Sequence, residues 1–204
     1  MKKEISELLK KMDIHDVETQ MAFRCAPFLT GLKTSNLLIV DREQKPEVRR
    51  LLDGTGADWF LLYEGEAKAV LLLYEKKRLG AYLKGKEVRR LLRQQGYTQH
   101  SCEGLLESFA GRYRAFMLGN GPFPHEIGIF LGYPPEDVAG FMKNKGSNCL
   151  YAGDWKVYGH APEKICLFQK FDRAKEGLLR LLADGVPMAE ILRYGRIKTA
   201  DTIS

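Results

Sequence analysis

Apolar residues recur along the chain at two spacings, and the changes between them mark out the elements. EISELLKKM, residues 4–12, places Ile5, Leu8, Leu9 and Met12 at helical intervals and predicts a short helix. Asp13 is placed to cap a second helix, IHDVETQMAFRCA, which Pro27 is expected to end. CAPFLTGLKTSN then reads as a connection, NLLIV (36–40) as a buried strand, 43–52 as helix, and DGTG as a turn. In DWFLLYEGEAKAVLLLYEK, two β-rich runs, 58–63 and 68–74, flank a short polar turn and predict an antiparallel hairpin. Both runs are nearly continuous in apolar residues, so both are expected to be central strands covered by helices, with NLLIV as a neighbour.

Helical spacing returns near 76–82, 85–95 and 102–116, and 123–141 supplies two more short helices. CLYAGDWKVYG has Gly-Asp between two β-like runs and predicts a second hairpin. A long amphipathic helix follows over about 161–184, and VPMAEILRYG reads as a short last one. Two hairpins separated by a helical block predict an α+β fold, with a small mixed or antiparallel sheet packed against several helices. No repeat and no Pro/Gly/Ser-rich linker divides the chain. One globular domain over 1–204 is therefore expected, with two closely packed lobes, about 1–100 and 101–204, as the alternative.

Composition narrows the class. With 45% hydrophobic and 28% charged residues, the 204-residue chain has an ordinary globular balance. LLIV and AVLLLY are too short to cross a bilayer, and the amino terminus lacks the apolar segment of a signal peptide. Cysteines at 25, 102, 149 and 166 form no CxxC pair, which fits a reduced cytoplasm. The net charge of +6 is uneven: residues 76–93 carry eight Lys or Arg against one Glu, so the remainder is nearly neutral.

The most chemically suggestive stretch is FPHEIGIFLGYPPEDVAGF, residues 123–141. Pro124 suits a first helical turn, Glu126 sits favourably near the amino-terminal dipole, and Ile127, Phe130 and Leu131 form an apolar stripe. Pro135, Glu136 and Asp137 repeat that opening. Local physics thus accounts for most of the segment as two short helices meeting at a corner. His125-Glu126 would begin a zinc-protease motif only with histidine at 129, which is Ile. His15, His100 and His160 show no ligand cadence, so no metal site is expected and the cofactor is left unassigned.

CAPFLTGLKTSNLL (25–38), FPHEIGIFLGYPPEDVAGFMKNKG (123–146) and DWKVYG (154–159) resemble the signatures of a bacterial family of unknown function, found mostly in Firmicutes and especially clostridia. The resemblance covers nearly the whole chain. It departs at Thr34, where the family pattern has proline in Lys-Pro-Ser-Asn. The resemblance implies no activity or cofactor, but it draws attention to Cys25, Lys33, Ser35, Asn36, His125, Glu126, Lys143, Asn144 and Lys145.

Each of these residues has a plain structural reading beside a functional one. Cys25 becomes a nucleophile only if a base such as His125 or a cation stabilises its thiolate; otherwise it is a small buried hydrophobe. Lys33, Ser35 and Asn36 suit an anion site or a strand-opening turn, and GLKTSN lacks the GK[ST] of a P-loop. Lys143, Asn144 and Lys145 suit a ligand or a basic helix end closed by Gly146. Trp59 reads as core and Trp155 as a half-exposed stacking residue. On LKGKEVRRLLRQQG, Lys86, Arg90 and Arg93 share one face and Val88, Leu91 and Leu92 another. That face attracts phosphates, yet no recognisable element reads base edges, so specific nucleic-acid binding is not expected.

The leading reading is a cytoplasmic small-ligand-binding or regulatory domain without turnover. Behind it stand a small enzyme using Cys25 and His125, or Glu126 with a metal, and then a weak, non-specific nucleic-acid binder. Cys25, the Lys33–Asn36 turn and the amino-terminal end of a 124–131 helix are expected to line one depression, favouring a neutral or zwitterionic ligand. The oligomeric state is left open.

Overall fold

The computed structural model describes residues 2–193. Helix α1 (Lys2–Leu9) precedes α2 (Val17–Leu29). Asp16, not Asp13, caps α2: its carboxylate accepts the Thr19 N–H at 2.8 Å and the Thr19 hydroxyl at 3.0 Å. Asp13 instead accepts the His15 N–H in the turn before. Nor does Pro27 end the helix, which continues to Leu29 and closes with Thr30 N–H bonded to Ala26 O. A proline in the last turn removes one intrahelical donor, while its fixed φ still suits the helix.

The main sheet has the order β1-β3-β2, with β1 (Ser35–Asp41), β2 (Asp58–Glu64) and β3 (Lys68–Tyr74), and both pairings are antiparallel. The hairpin forms, and NLLIV joins the sheet along the other edge of β3. Only β3 is therefore central, and β2 lies at the edge with Leu62 alone fully buried along it. The long-range β1–β3 pairing decides this, and no local feature of β2 announces it. Helix α3 (Lys45–Leu52), entered through a 3-10 turn at Arg42–Gln44, returns the chain between β1 and β2.

Alternation along β3 divides the core. Ala69, Leu71 and Leu73 join Leu38, Val40 and the apolar residues of α1, α2 and α3 on one face. Val70, Leu72 and Tyr74 join α4 (Lys76–Leu83), α5 (Lys86–Gln94), α6 (Cys102–Met117), α7 (Ile127–Phe130) and α8 (Pro135–Asn144) on the other. The result is an α+β fold with helices on both faces of a small antiparallel sheet.

Strands β4 (Tyr151–Ala152) and β5 (Lys156–Val157) form the second hairpin. It rests on α9 (Ala161–Ala183) through Val157, Phe168 and Phe171, while Leu178 and Leu179 further along α9 enter the first core. Residues 188–193 are helical, and the rest of the expected last helix lies outside the described residues. No helix among the described residues is long and apolar enough to cross a membrane.

Candidate functional site

The turn between α2 and β1 is held by its own polar side chains. Lys33 Nζ donates to Asn36 Oδ1 at 2.8 Å. Asn36 Nδ2 donates to Arg24 O, Leu37 O and the Cys25 sulfur, at 2.9, 3.0 and 3.4 Å. The Ser35 hydroxyl, fully buried, donates to Phe130 O at 2.6 Å and ties this turn to the end of α7.

Cys25 is completely buried, and that burial pushes its thiol up to about 12, so it stays protonated at neutral pH. Its polar neighbours are Asn36 and Leu37 O, and no hydrogen bond joins it to His125 among the described residues. These are the surroundings of a packing cysteine. All four cysteines are free thiols.

Burial lowers the Lys33 ammonium to about 8, from an ordinary 10.5. Between those values the folded protein has released a proton that the unfolded chain still holds, so stability from this group rises with pH. Cys25 acts in the opposite sense, but only above its ordinary 9.0. Between pH 8 and 9, urea unfolding of the wild type relative to Lys33→Met should therefore move about 1 kcal/mol in the wild type's favour; full proton release would give ~1.4 per pH unit, and partial exposure reduces it. A pH-independent difference would refute the depressed value.

Lys33 also carries the turn toward a cavity. Its ammonium lies 5.1 Å from the Tyr133 ring centroid, and the Tyr133 ring stacks with Trp155 at 4.6 Å and 25°. Trp155 Nε1–H donates to Asp137 Oδ2 at 2.8 Å, fixing the indole at the start of β5 against α8. Asp137 is buried, and its Oδ1 accepts the N–H groups of Tyr158 at 2.7 Å and Gly159 at 3.3 Å. The buried Lys164 ammonium lies 3.6 Å from Asp137 and bonds Glu136 at 2.6 Å.

Beside Tyr133 and Trp155 opens a cavity of about 260 Å³, walled also by Phe123, Val138 and Phe141. His125 is exposed at its edge, its ring 5.3 Å from Phe123 and 5.4 Å from Phe141. Asp154, already ion-paired with Lys175 at 3.0 Å, and Lys156, bonded to Gly146 O, bring opposite charges to the lining. Gly128 keeps one wall thin, since a Cβ there would sit 2.9 Å from Val138 Cγ2 and 3.2 Å from Tyr133 Cδ2.

Glu126 points elsewhere. It is buried and accepts the Tyr97 hydroxyl at 3.0 Å and Arg112 Nη1 at 3.2 Å. Burial and the Glu126 carboxylate together raise the Tyr97 hydroxyl's pKa, which keeps it a donor. Lys143, Asn144 and Lys145 close α8: Asn144 Nδ2 bonds Gly140 O at 2.8 Å, and Lys145 adopts φ 49° at the cap. None of the three is among the cavity's lining residues. No group of three or more His, Cys, Asp or Glu side chains among the described residues is arranged to hold a metal ion.

The fold thus brings His125 and Trp155 to one cavity and seats Lys33 against its Tyr133 wall. Cys25 lies in the first core and Glu126 in a separate buried network. Sequence reading missed Tyr133, Phe141 and Asp137 as components. Asp137 has a sufficient local role as a first-turn acid, and Tyr133 and Phe141 lie in a stretch that local physics already explains as two short helices. Chemically, the cavity offers aromatic faces and both signs of charge.

The three segments that meet here all fall within a single family match. A protein-family model described as "Protein of unknown function (DUF3793)" matches residues 21–192. The chain belongs to this family. No curated protein and no solved structure matches it. The DUF3793 match takes in every strand and all of the cavity described above.

Proposed function

We propose that the protein is a cytoplasmic small-ligand-binding or regulatory module without catalytic turnover, acting through the cavity between Tyr133, Trp155 and Phe141. One observation carries the reading: separate segments of the chain converge on an aromatic cavity whose key wall, Trp155, is fixed by a buried carboxylate. Cavities with apolar walls and a few placed polar groups are the usual form of small-molecule sites. Asp154 and Lys156 in one lining favour a neutral or zwitterionic ligand with a flat apolar portion. The protonated, buried Cys25 supports binding over nucleophilic chemistry. Both cores share one sheet, which supports treating the whole chain as one unit.

Trp155 provides the test. In a Trp59→Phe background it is the sole indole, and its emission reports ligands stacked beside it. A panel of aromatic amino acids and nucleobases should contain at least one that quenches it saturably. Tyr133→Ala should weaken that binding at least tenfold, about 1.4 kcal/mol. Saturable quenching indifferent to Tyr133 and Phe141 would place binding elsewhere and overturn the reading.

A further inference from the structure

A second cavity, of about 380 Å³, opens between α5 and the segment that follows it. Gly96, at φ 82°, turns the chain after α5, and His100 beyond it meets Arg89 of the helix. Arg89 and Arg93, one helical turn apart, line the same opening. Arg89 is half-buried and held in place: Nη1 lies 3.1 Å from His100 Nδ1, and Nη2 donates to His100 O at 3.1 Å. Arg93 Nε donates to Arg89 O at 3.3 Å. Among the described residues, no carboxylate lies within ion-pair distance of Arg89, Arg90 or Arg93.

The rest of the lining is apolar where it is deepest. Leu92, Tyr97 and Leu105 are all buried core residues that also border the cavity. The Tyr97 ring carries the Arg112 guanidinium 4.6 Å from its centroid, and its hydroxyl is fixed by Glu126. Glu126 is thus already engaged by Arg112, and Arg89 and Arg93 have no carboxylate partner among the described residues.

We propose that this cavity binds a small phosphorylated organic molecule, with the phosphate on Arg89 and Arg93 and the organic body against Leu92, Tyr97 and Leu105. A guanidinium presents a planar fork that matches phosphate oxygens, and two forks on one helix face hold such a group from two directions. The His100 contacts fix the Arg89 side chain in advance, which lowers the ordering cost of binding. A bare basic surface would lack the apolar recess. The site is separate from the Trp155 cavity, so its test stands apart from that proposal.

Isothermal titration of the full chain at low ionic strength decides it, using adenosine 5′-monophosphate, adenosine, inorganic phosphate and a single-stranded oligonucleotide without terminal phosphate. The monophosphate should bind saturably, and about tenfold or more tighter than adenosine or phosphate alone. Arg89→Ala and Arg93→Ala should each weaken it about tenfold or more, and Arg89→Lys should recover part of the loss. Arg90→Ala, which removes an exposed charge outside the lining, should leave it unchanged. Three results overturn the proposal: no saturable binding of the monophosphate, equal losses for Arg89→Ala and Arg90→Ala, or binding of the oligonucleotide alone. The first would dispose of the site, and the other two would reduce it to unspecific attraction by the +7 segment 76–93.

Discussion

Asp137→Ala is expected to destabilise the protein by about 3–5 kcal/mol, a large share of the ~5–15 kcal/mol typical of a domain. The carboxylate is 1% exposed and serves three neutral donors, Trp155 Nε1–H and the backbone N–H groups of Tyr158 and Gly159. Truncation leaves buried donors without an acceptor, each costing about 1–3 kcal/mol. Lys164 retains Glu136 and Gly159 O, so the loss is less than that of a fully orphaned ion pair. Asp137→Asn keeps one acceptor oxygen but turns an amide donor toward another donor, and should cost about half as much. Urea denaturation gives both values. Trp155 emission should shift in Asp137→Ala even below the unfolding transition, because the hydrogen bond that orients the indole is gone. An Asp137→Ala protein as stable as wild type would show that the β4–β5 hairpin is held by Phe168 and Phe171 without it.

That dependence explains why the sheet was more legible in the sequence than the site. The 58–74 hairpin and the long helix at 161–183 each follow from periodicity and turn chemistry carried by residues close together in sequence. The edge position of β2 depends on β1 pairing across β3, a contact between segments some thirty residues apart in sequence. Asp13 and Asp16 are equally good caps in composition, and only the path of the preceding turn selects Asp16. Asp137 is harder still. In PPEDV it has a complete local explanation as a first-turn acid, while its actual partners lie 18 to 22 residues onward. The resemblance in 123–146 and 154–159 marked both segments, and the bond from Trp155 to Asp137 is what joins them. Lys33 is legible as a polar turn residue, but the Tyr133 ring it meets is far along the chain, beside the equally long-range Ser35–Phe130 bond.

Phe130→Ala should cost about 3–5 kcal/mol, the range for removing a large buried aromatic side chain. Phe130 is fully buried where α7 crosses the second core, stacked on Phe109 at 4.2 Å and 14° and tilted against Tyr97 at 5.8 Å. Its neighbours are anchored from outside: Tyr97 by Glu126, and the α7 backbone by the Ser35 hydroxyl. They cannot collapse fully into the space, so the void persists and the cost approaches the upper end. Phe130→Leu keeps most of the volume and should cost about 1–2 kcal/mol. The two variants separate volume from connection, because the Ser35 bond is to the backbone carbonyl and survives both. Ser35→Ala tests that bond alone and should cost about 1–3 kcal/mol, leaving a buried carbonyl short of a donor. If Phe130→Ala and Phe130→Leu destabilise equally in urea, the packing argument fails and α7 is held chiefly by its hydrogen bonds. A graded loss, with Tyr97 displaced and monophosphate binding weakened in the alanine variant, would tie the α7 core contact to the arginine-lined cavity through the ring they share.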